Sequence, residues 1–323
     1  MQGPSSKSLD YLLSLPQVVG VGYGLKEQGG AVTGVKAVTV LVSKKLPKEQ
    51  LAAHELVPST IEGLPTDVIE VGCLKAHRAE AHPPKAQGET KQARTAIWRP
   101  APPGVSIGHY KITAGTFGAV VYERSSLQPL ILSNNHVLAN SSNGRDQRAK
   151  LNDPILQPGA YDLDPAPAAQ ATRTGAQENL DYTIARLHRY VPLLSYPTAN
   201  YVDCAVAKPI ANDLIIPDIL GIGKVRGSVS PALGMRVQKS GRTSAVSYGT
   251  ILVLNARINV DYGDRVLRFD KQIVTTRLSS PGDSGSLVLS LDNYAVGLLF
   301  AGSERVTVVN PIDPVLGLLK VRF

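Results

Sequence analysis

Residues 279–288 read SSPGDSGSLV, a Gly-Asp-Ser-Gly turn that interrupts an otherwise apolar region. Glycine at positions 282 and 285 permits tight backbone conformations and leaves the surroundings of Ser284 open, so that the serine hydroxyl can reach a substrate carbonyl. The backbone amides of Gly282 and Ser284 are then placed to stabilise the oxyanion that forms on that carbonyl. A plain surface turn is the alternative, because Gly, Asp and Ser also suit turns. The stretch predicts an acyl-transfer nucleophile if the chain also supplies a base.

A second segment, Ser133-Asn134-Asn135-His136, supplies a candidate base. It follows apolar runs at 119–122 and 130–132 and precedes a loop of small residues. A histidine at the end of such a strand pair can accept the proton of Ser284. The alternative is a histidine held by backbone partners in a turn. Because the other histidines lack this combination of strand and loop, the sequence favours His136 as the base.

A third side chain, a carboxylate, is needed to orient the imidazole and to stabilise it once it is charged. Two aspartates stand at the start of short apolar strands, Asp181 in NLDYTIA and Asp203 in NYVDCAVA. Either of them gives the chain order His, Asp, Ser. The residues alone leave this choice open.

These segments resemble the chymotrypsin-like serine proteases. The resemblance rests on SNNHVLAN around His136, PGDSGSLV around Ser284 and GMRVQKSGRT at 234–243. More narrowly, the chain is similar to a bacterial group of trypsin-like peptidases related to the plant NARROW LEAF proteins. In that group the acidic residue lies in a Val-Asp-Ala-Ala type segment after a Phe/Tyr-Val-Pro stretch. Here Tyr190-Val191-Pro192 precedes Val202-Asp203-Cys204-Ala205. The resemblance therefore favours Asp203 as the acid and leaves Asp181 as the fallback.

The resemblance also implies a chymotrypsin-like double β-barrel, with His136 and Asp203 in the first barrel and Ser284 in the second. Asp283 looks like the carboxylate that pairs with a newly cut amino terminus in activated animal enzymes. No activation site of that kind precedes the domain here. We therefore expect Asp283 to have another partner and the enzyme to need no zymogen cleavage.

The resemblance places the substrate pocket as well. Leu278 falls near the base of the primary specificity pocket, and Phe300, Ala301 and Gly302 form its wall and pair with the substrate backbone. An uncharged base predicts selection for an apolar or small side chain. The alternative is that Leu278 simply packs in the second barrel.

Composition limits the class of protein. The 323 residues are 43% hydrophobic, enough to bury one large core or two moderate ones. No stretch reaches the roughly 18 apolar residues of a membrane span, and the first residues lack the pattern of a secretory signal. Two cysteines are too few for a disulfide framework and fit a reducing compartment. These features predict a cytoplasmic protein without a membrane partner.

Neither the net charge nor the possible metal ligands indicate a further partner. The formal net charge is +8, but the basic residues are dispersed and carry no nucleic-acid motif, which argues against a nucleic-acid partner. Cys73, His77 and His82 lie in a polar segment without a fourth nearby ligand, so no metal site is predicted. No cofactor is expected, and the partner should be a protein or peptide substrate.

The chain divides into three predicted parts: a small α/β domain at 1–72, a basic Pro-rich linker at 73–103 and a trypsin-like serine protease domain at 104–323. In the last part, short Val, Ile, Leu and Thr runs alternate with Gly, Pro, Asn and Ser turns, which indicates a mainly β fold. The first part contains helix candidates at 9–15 and 48–54 and strand candidates at 18–24, 37–42 and 66–71.

Glycines 20, 22 and 24 superficially match a dinucleotide-binding fingerprint. The residues that follow predict a hairpin loop and supply no helix to receive a pyrophosphate. We interpret these glycines as strand and turn geometry. The domain at 1–72 is a candidate for recruiting substrate, restraining the protease or building a homo-oligomer, and its residues do not choose among these roles.

The sequence therefore predicts a serine endopeptidase that works through a Ser-His-Asp triad and an acyl-enzyme. Two other classes stay open. One is a catalytically silent module that uses a protease-like fold for binding or assembly, and the other is a basic protein associated with nucleic acid.

Overall fold

The computed structural model describes residues 5–76, 92–163 and 182–323. Its α-helices are α1 (Ser6–Leu13), α2 (Asn135–Leu138) and α3 (Ile312–Leu319). The strands that begin before residue 130 are β1 (Val18–Gln28), β2 (Ala31–Val42), β3 (Thr60–Ile61), β4 (Leu64–Glu70), β5 (Lys75–Ala76), β6 (Ser106–His109), β7 (Gly115–Thr116), β8 (Ala119–Glu123) and β9 (Pro129–Ser133). The later strands are β10 (Pro154–Leu156), β11 (Thr183–Tyr190), β12 (Ala205–Pro209), β13 (Arg236–Gly241), β14 (Ala245–Asp261), β15 (Val266–Thr276), β16 (Leu287–Ser290), β17 (Ala295–Gly302), β18 (Val306–Pro311) and β19 (Val321–Arg322).

The first sheet has eight strands in the order β19-β8-β9-β12-β11-β10-β6-β7. Its strands pair antiparallel, as short apolar strands joined by turns favour. One face buries a core around Ile107, Phe117 and Ile131. The other buries Leu130, Leu132 and Val206 against α3 and β16 of the second sheet. Alternate residues of β9 thus point into two different cores, as the period of a strand requires.

The second sheet contains a closed barrel. Strands β13-β16-β17-β18-β15-β14 follow one another, and an additional pairing between β13 and β14 completes the ring. Its interior is filled by apolar side chains such as Val237, Ile273 and Val296. The mainly β fold that the sequence predicts is confirmed, and the second sheet closes into one barrel.

The amino-terminal α/β unit extends this second sheet. Strand β1 pairs antiparallel with β14, and β2, β4 and β3 continue the sheet beyond it. Leu12 of α1 packs with Val21, Val38 and Val40 to form a separate small core. A hydrogen-bonded sheet therefore joins this unit to the second barrel.

Three local predictions for this unit have clear outcomes. A Cβ on Gly22 would lie 2.6 Å from Val253 Cγ1, so glycine lets β1 approach β14 closely, and the interpretation as strand geometry is confirmed. The helix candidate at 48–54 is wrong: Lys48–Gln50 and Ala53–Glu55 form separate 3-10 turns, because the backbone is extended at Leu51 and Ala52 between them. Helix α1 begins earlier than predicted, where the side chain of Ser5 accepts a hydrogen bond from the Ser8 amide.

Across the described ranges, no helix has both the length and the apolar character needed to cross a bilayer.

Candidate active site

The pairing of β9 with β12 brings His136 to Asp203. Ala205 is opposite Ser133, so the residues just after β9 and just before β12 lie side by side. His136 Nδ1 is 2.5 Å from Asp203 Oδ2, and the His136 backbone amide donates to Asp203 Oδ1 over 3.1 Å. Both carboxylate oxygens thus fix the histidine, one through its ring and one through its backbone. Asp203 is fully buried and His136 is 5% exposed.

The hydrogen bond between His136 Nδ1 and Asp203 fixes the tautomer of the neutral imidazole. A carboxylate only accepts hydrogen bonds, so Nδ1 carries the hydrogen and Nε2 keeps its lone pair. Nε2 is buried and has no hydrogen-bond partner among the described residues. Such a nitrogen can accept a proton from a hydroxyl group brought to it.

Tyr262, which follows β14 directly, is a further contact of the acid. Its hydroxyl donates to Asp203 Oδ2 over 2.6 Å, and its ring meets that of His136 edge-on, with centroids 6.0 Å apart. Burial, followed by the negative charge of Asp203, raises the pKa of Tyr262 well above its ordinary value. The tyrosine therefore remains a donor at neutral pH and holds the carboxylate in place.

The backbone of Asp203 is hydrogen-bonded to residues of both sheets. Its amide donates to Asn310 Oδ1 over 2.9 Å, and its carbonyl accepts from Asn134 Nδ2 over 2.7 Å. Asn310 in turn donates to Gln272 Oε1 over 2.7 Å. Because Asn134 follows β9 of the first sheet and Asn310 lies on β18 of the second, Asp203 sits at a fixed point of the interface between the two sheets.

Ser284 lies in the turn between β15 and β16, and this turn docks on β7 of the first sheet. The Thr116 amide donates to the Ser284 carbonyl over 2.8 Å, and the Thr116 hydroxyl donates to the Gly282 carbonyl over 3.0 Å. The Thr116 carbonyl accepts from Ser133 Oγ over 2.8 Å, at the end of the strand that leads to His136. The turn at 279–286, which we call the nucleophile turn, and the segment at 133–137, which we call the histidine segment, therefore share Thr116 as an anchor.

A second observation places Ser284 next to the histidine segment. A Cβ on Gly115 would lie 2.5 Å from Val137 Cγ2 and 3.1 Å from the Ser284 carbonyl oxygen. The residue after His136 and the backbone of Ser284 thus flank the same glycine. The Ser284 hydroxyl also donates to the Phe300 carbonyl over 3.3 Å. Ser284 itself is fully buried.

The backbone of the turn requires glycine. The φ angles of Gly282 and Gly285 are 96° and 93°, in the region that side-chain-bearing residues avoid. A Cβ at position 285 would also fall 2.0 Å from Ser133 Oγ and 2.5 Å from the Thr116 carbonyl oxygen. The predicted oxyanion residues, Gly282 and Ser284, lie on this constrained turn.

Asp283 has a partner inside the protein. Lys239 Nζ lies 3.0 Å from Asp283 Oδ2, and both side chains are fully buried. Backbone amides of Thr243, Ser244 and Ser280 also donate to the carboxylate, over 2.8, 3.1 and 2.9 Å. Burial alone would raise the pKa of Asp283, but the charge of Lys239, the Ser244 hydroxyl and the amides outweigh it and lower the pKa. The expected substitute for a newly cut amino terminus is thus a lysine on β13.

The predicted pocket residues are spread over three environments. Leu278 is 4% exposed and packs with Val237 and Ile251 in the barrel core, which is the alternative considered from the sequence. Phe300 and Ala301 are fully buried in a neighbouring core. Gly302 lines a cavity of 550 Å³.

That cavity lies beside the nucleophile turn. Its wall includes Ser279 and Pro281 before Ser284, Tyr262 next to the acid, and the charged side chains of Arg277 and Glu304. Arg277 Nη1 and Glu304 Oε2 are 3.1 Å apart. The cavity wall therefore combines apolar groups with charged groups.

Three of the residues weighed from the sequence lie outside the described ranges: the fallback acid Asp181, and His77 and His82. Cys73 is exposed. Within residues 5–76, 92–163 and 182–323, no cluster of three His, Cys, Asp or Glu side chains is arranged to hold a metal ion.

No protein-family model matches this chain, and no curated protein sequence matches it. Solved structures that are similar to it are chymotrypsin-like serine proteases. Thermobifida fusca protease A is 18% identical with a TM-score of 0.46, and the match covers 69% of this chain and 98% of that one. Nocardiopsis protease is 18% identical with a TM-score of 0.47, over 69% and 98%. The chymotrypsin of Cellulomonas bogoriensis is 19% identical with a TM-score of 0.44, over 68% and 96%.

Proposed function

We propose that this chain is a serine endopeptidase that cleaves protein or peptide substrates through Ser284, His136 and Asp203. The observation that carries the proposal is the His136–Asp203 contact of 2.5 Å, which leaves the lone pair of Nε2 directed away from the acid. A buried carboxylate that fixes one histidine tautomer is the arrangement that general-base activation of a serine needs.

In the first half of the reaction, His136 Nε2 accepts the proton of Ser284 while Ser284 Oγ bonds to the carbonyl carbon of a peptide bond. The carbonyl electron pair moves to its oxygen, and the amides of Gly282 and Ser284 stabilise the resulting oxyanion. The C–N bond then breaks as Nε2 returns the proton to the leaving amine. The product of this half is an ester between Ser284 and the acyl part of the substrate.

In the second half, Nε2 accepts a proton from water as the water oxygen bonds to the ester carbonyl carbon. The tetrahedral intermediate collapses, the bond to Ser284 Oγ breaks, and the serine recovers its proton. Asp203 accepts the hydrogen bond from Nδ1 in both halves and stabilises the imidazolium that forms twice. Tyr262 is a positioning residue here, because it acts through its hydrogen bond to Asp203.

The test is active-site labelling with a fluorophosphonate, which forms a covalent bond to an activated serine. The wild-type protein should be labelled and Ser284→Ala should not. Ser286→Ala is a matched control, because Ser286 is equally buried in the same turn but its hydroxyl donates to the Asp283 carbonyl over 2.6 Å. Labelling that survives Ser284→Ala, or that disappears only in the control, contradicts the assignment.

A catalytically silent binding or assembly module is the second candidate, and the full burial of Ser284 favours it. It predicts a folded wild-type protein that a small fluorophosphonate does not label. The same experiment therefore separates the two candidates.

Several finer expectations remain predictions. These are the relation to the bacterial group related to NARROW LEAF proteins, the cytoplasmic location, the domain boundaries at residues 72 and 103, and a homo-oligomer. The predicted preference for an apolar or small side chain rested on Leu278, which packs in the barrel core. A peptide-library cleavage profile measures that preference directly.

A further inference from the structure

A short strand from the segment after the amino-terminal unit lies along the edge of β17. Strand β5 pairs antiparallel with β17, with Ala76 opposite Ala301 and Lys75 opposite Gly302. On its other side Lys75 pairs with Asp261 of β14, and the Asp261 amide donates to the Leu74 carbonyl over 2.9 Å. Strand β5 therefore fills the space between β14 and β17.

This edge of β17 leads directly to the nucleophile. Phe300, whose carbonyl accepts the hydrogen bond of Ser284 Oγ over 3.3 Å, precedes Ala301 and Gly302 in the same strand. Because the pairing is antiparallel, the chain runs from Lys75 to Ala76 as β17 is followed back toward Phe300. The segment thus runs from its amino to its carboxyl end toward Ser284.

That direction is the one that a substrate needs. The scissile carbonyl stands at the carboxyl end of the acyl part of a peptide, so an extended substrate must approach the nucleophile in this sense. Adding a strand to an exposed sheet edge is a common way to bind an extended peptide. Residues 75–76 therefore lie where, and in the direction in which, the acyl part of a substrate would pair.

The segment is also anchored like a bound peptide. Leu74 is 2% exposed and packs in one cluster with Phe300, Ala301 and Tyr262. The Ser303 hydroxyl donates to the Val71 carbonyl. An apolar side chain in a closed pocket and paired backbone on both sides are features of an occupied strand-binding groove.

We propose that residues 74–76 occupy, in cis, the groove in which the acyl part of a peptide substrate pairs with β17, and that they compete with substrate. The proposal deepens the proposed function and rests on it for the identity of the groove. A tethered segment acts at an effective concentration on the order of millimolar. If it fills the groove about nine-tenths of the time, the apparent affinity for an added peptide falls about tenfold.

The experiment measures peptide binding without catalysis. The probe is a fluorescein-labelled hexapeptide, Val-Gly-Ser-Leu-Lys-Ala, which copies residues 71–76 with serine in place of Cys73. Its binding is followed by fluorescence anisotropy in a Ser284→Ala background. Replacing both Lys75 and Ala76 with proline removes whichever backbone N–H donates to β17, since proline has none. We expect this variant to bind the probe at least tenfold more tightly than the parent.

A pair of leucine variants keeps the test valid if the proline variant does not fold. Leu74→Ala weakens the anchor without changing the backbone, and Leu12→Ala is its matched control, because Leu12 is equally buried but belongs to the core around α1. Leu74→Ala should raise the affinity for the probe severalfold, and Leu12→Ala should leave it unchanged. Equal binding by the parent, Leu74→Ala and any folded proline variant would overturn the proposal.

Fluorophosphonate labelling distinguishes failure of the proposed cis competitor from failure of the proposed catalytic role of Ser284. Labelled wild-type protein with unchanged probe binding in all the variants refutes the cis competitor and leaves the protease in place. No labelling of the wild type or of the corresponding opened variants that keep Ser284, together with tighter probe binding in the opened variants, supports the groove and refutes the protease.

Discussion

Replacing Lys239 with methionine tests how the nucleophile turn is held in place. The ammonium group is fully buried, 3.0 Å from Asp283 Oδ2, and it also donates to Ser244 Oγ over 2.6 Å and to the Ala245 carbonyl over 3.0 Å. Methionine keeps a similar shape and removes the charge. Asp283 would then be a buried carboxylate without a counter-ion.

The expected loss of stability is large. Removing one partner of a buried ion pair costs about 3–5 kcal/mol, because the other charge is left uncompensated. The three backbone amides that remain on Asp283 favour the lower end, about 3 kcal/mol. Since Asp283 stands between Gly282 and Ser284, its displacement should also disturb the oxyanion amides. Losing one such donor lowers kcat by about 10²–10³ in a comparable enzyme.

Urea unfolding of four proteins measures the effect: wild type, Lys239→Met, Asp283→Asn and the double variant. The double variant should be destabilised by clearly less than the two single effects combined, because the pair is coupled. Lys208→Met is the control, because Lys208 is exposed on β12. Its free energy of unfolding should stay within about 0.5 kcal/mol of the wild-type value. If the free energy of unfolding of Lys239→Met lies within about 1 kcal/mol of the wild-type value and the fluorophosphonate labels Ser284 at the full rate, the Lys239–Asp283 pair does not hold the nucleophile turn.

Three further predictions concern the same site. Because the pKa of Asp283 is lowered in the folded protein, its contribution to stability should be complete above its ordinary pKa of about 3.9 and be lost as the pH falls through the lower folded value; an acid unfolding curve that Asp283→Asn leaves unchanged would contradict this. Tyr262→Phe removes the 2.6 Å hydrogen bond to Asp203 and should slow labelling of Ser284 about tenfold or less, with an altered pH profile, as expected of one positioning bond worth about 1 kcal/mol; an unchanged rate and profile would refute this role. Gly285→Ala places a Cβ 2.0 Å from Ser133 Oγ at a φ of 93°, so it should abolish labelling and lower the melting temperature, whereas a fully active variant would show that the turn is built differently.

The proposed catalytic residues Ser284 and His136 lie in segments whose local pattern is visible in the sequence. The glycines around Ser284 and the strand before His136 are visible in single short segments. Asp203 was chosen over Asp181 by resemblance, and its contact with His136 follows from the antiparallel pairing of β9 with β12. Such a pairing is a long-range property that neither segment reveals alone.

The supporting residues could not be found in this way. Tyr262 and Asn310 reach Asp203 from distant strands, and no motif marks them. Lys239 was part of a quoted segment, yet only the fold shows that its side chain points inward to Asp283. Leu278 shows the same limit, because a residue near a strand end faces either the core or the cleft, and a shift of one position exchanges the two.

The described residues at the two ends of the segment 73–103 make contacts that its composition does not indicate. The segment is rich in Lys, Ala and Pro, which predicts a linker. Lys75–Ala76 nevertheless form a strand, and Arg94 is 8% exposed and donates to Ser240 Oγ over 2.7 Å. Backbone pairing and a buried guanidinium depend on partners far along the chain, which local composition does not record.

The most direct test of the triad is the rate and position of covalent labelling in wild type and His136→Ala. After reaction with a fluorophosphonate, tandem mass spectrometry of the digested protein locates the modified residue. The triad predicts that the label is on Ser284 and that His136→Ala reacts at least about 10³-fold more slowly. A label on another residue, or equal rates in the two proteins, would contradict it.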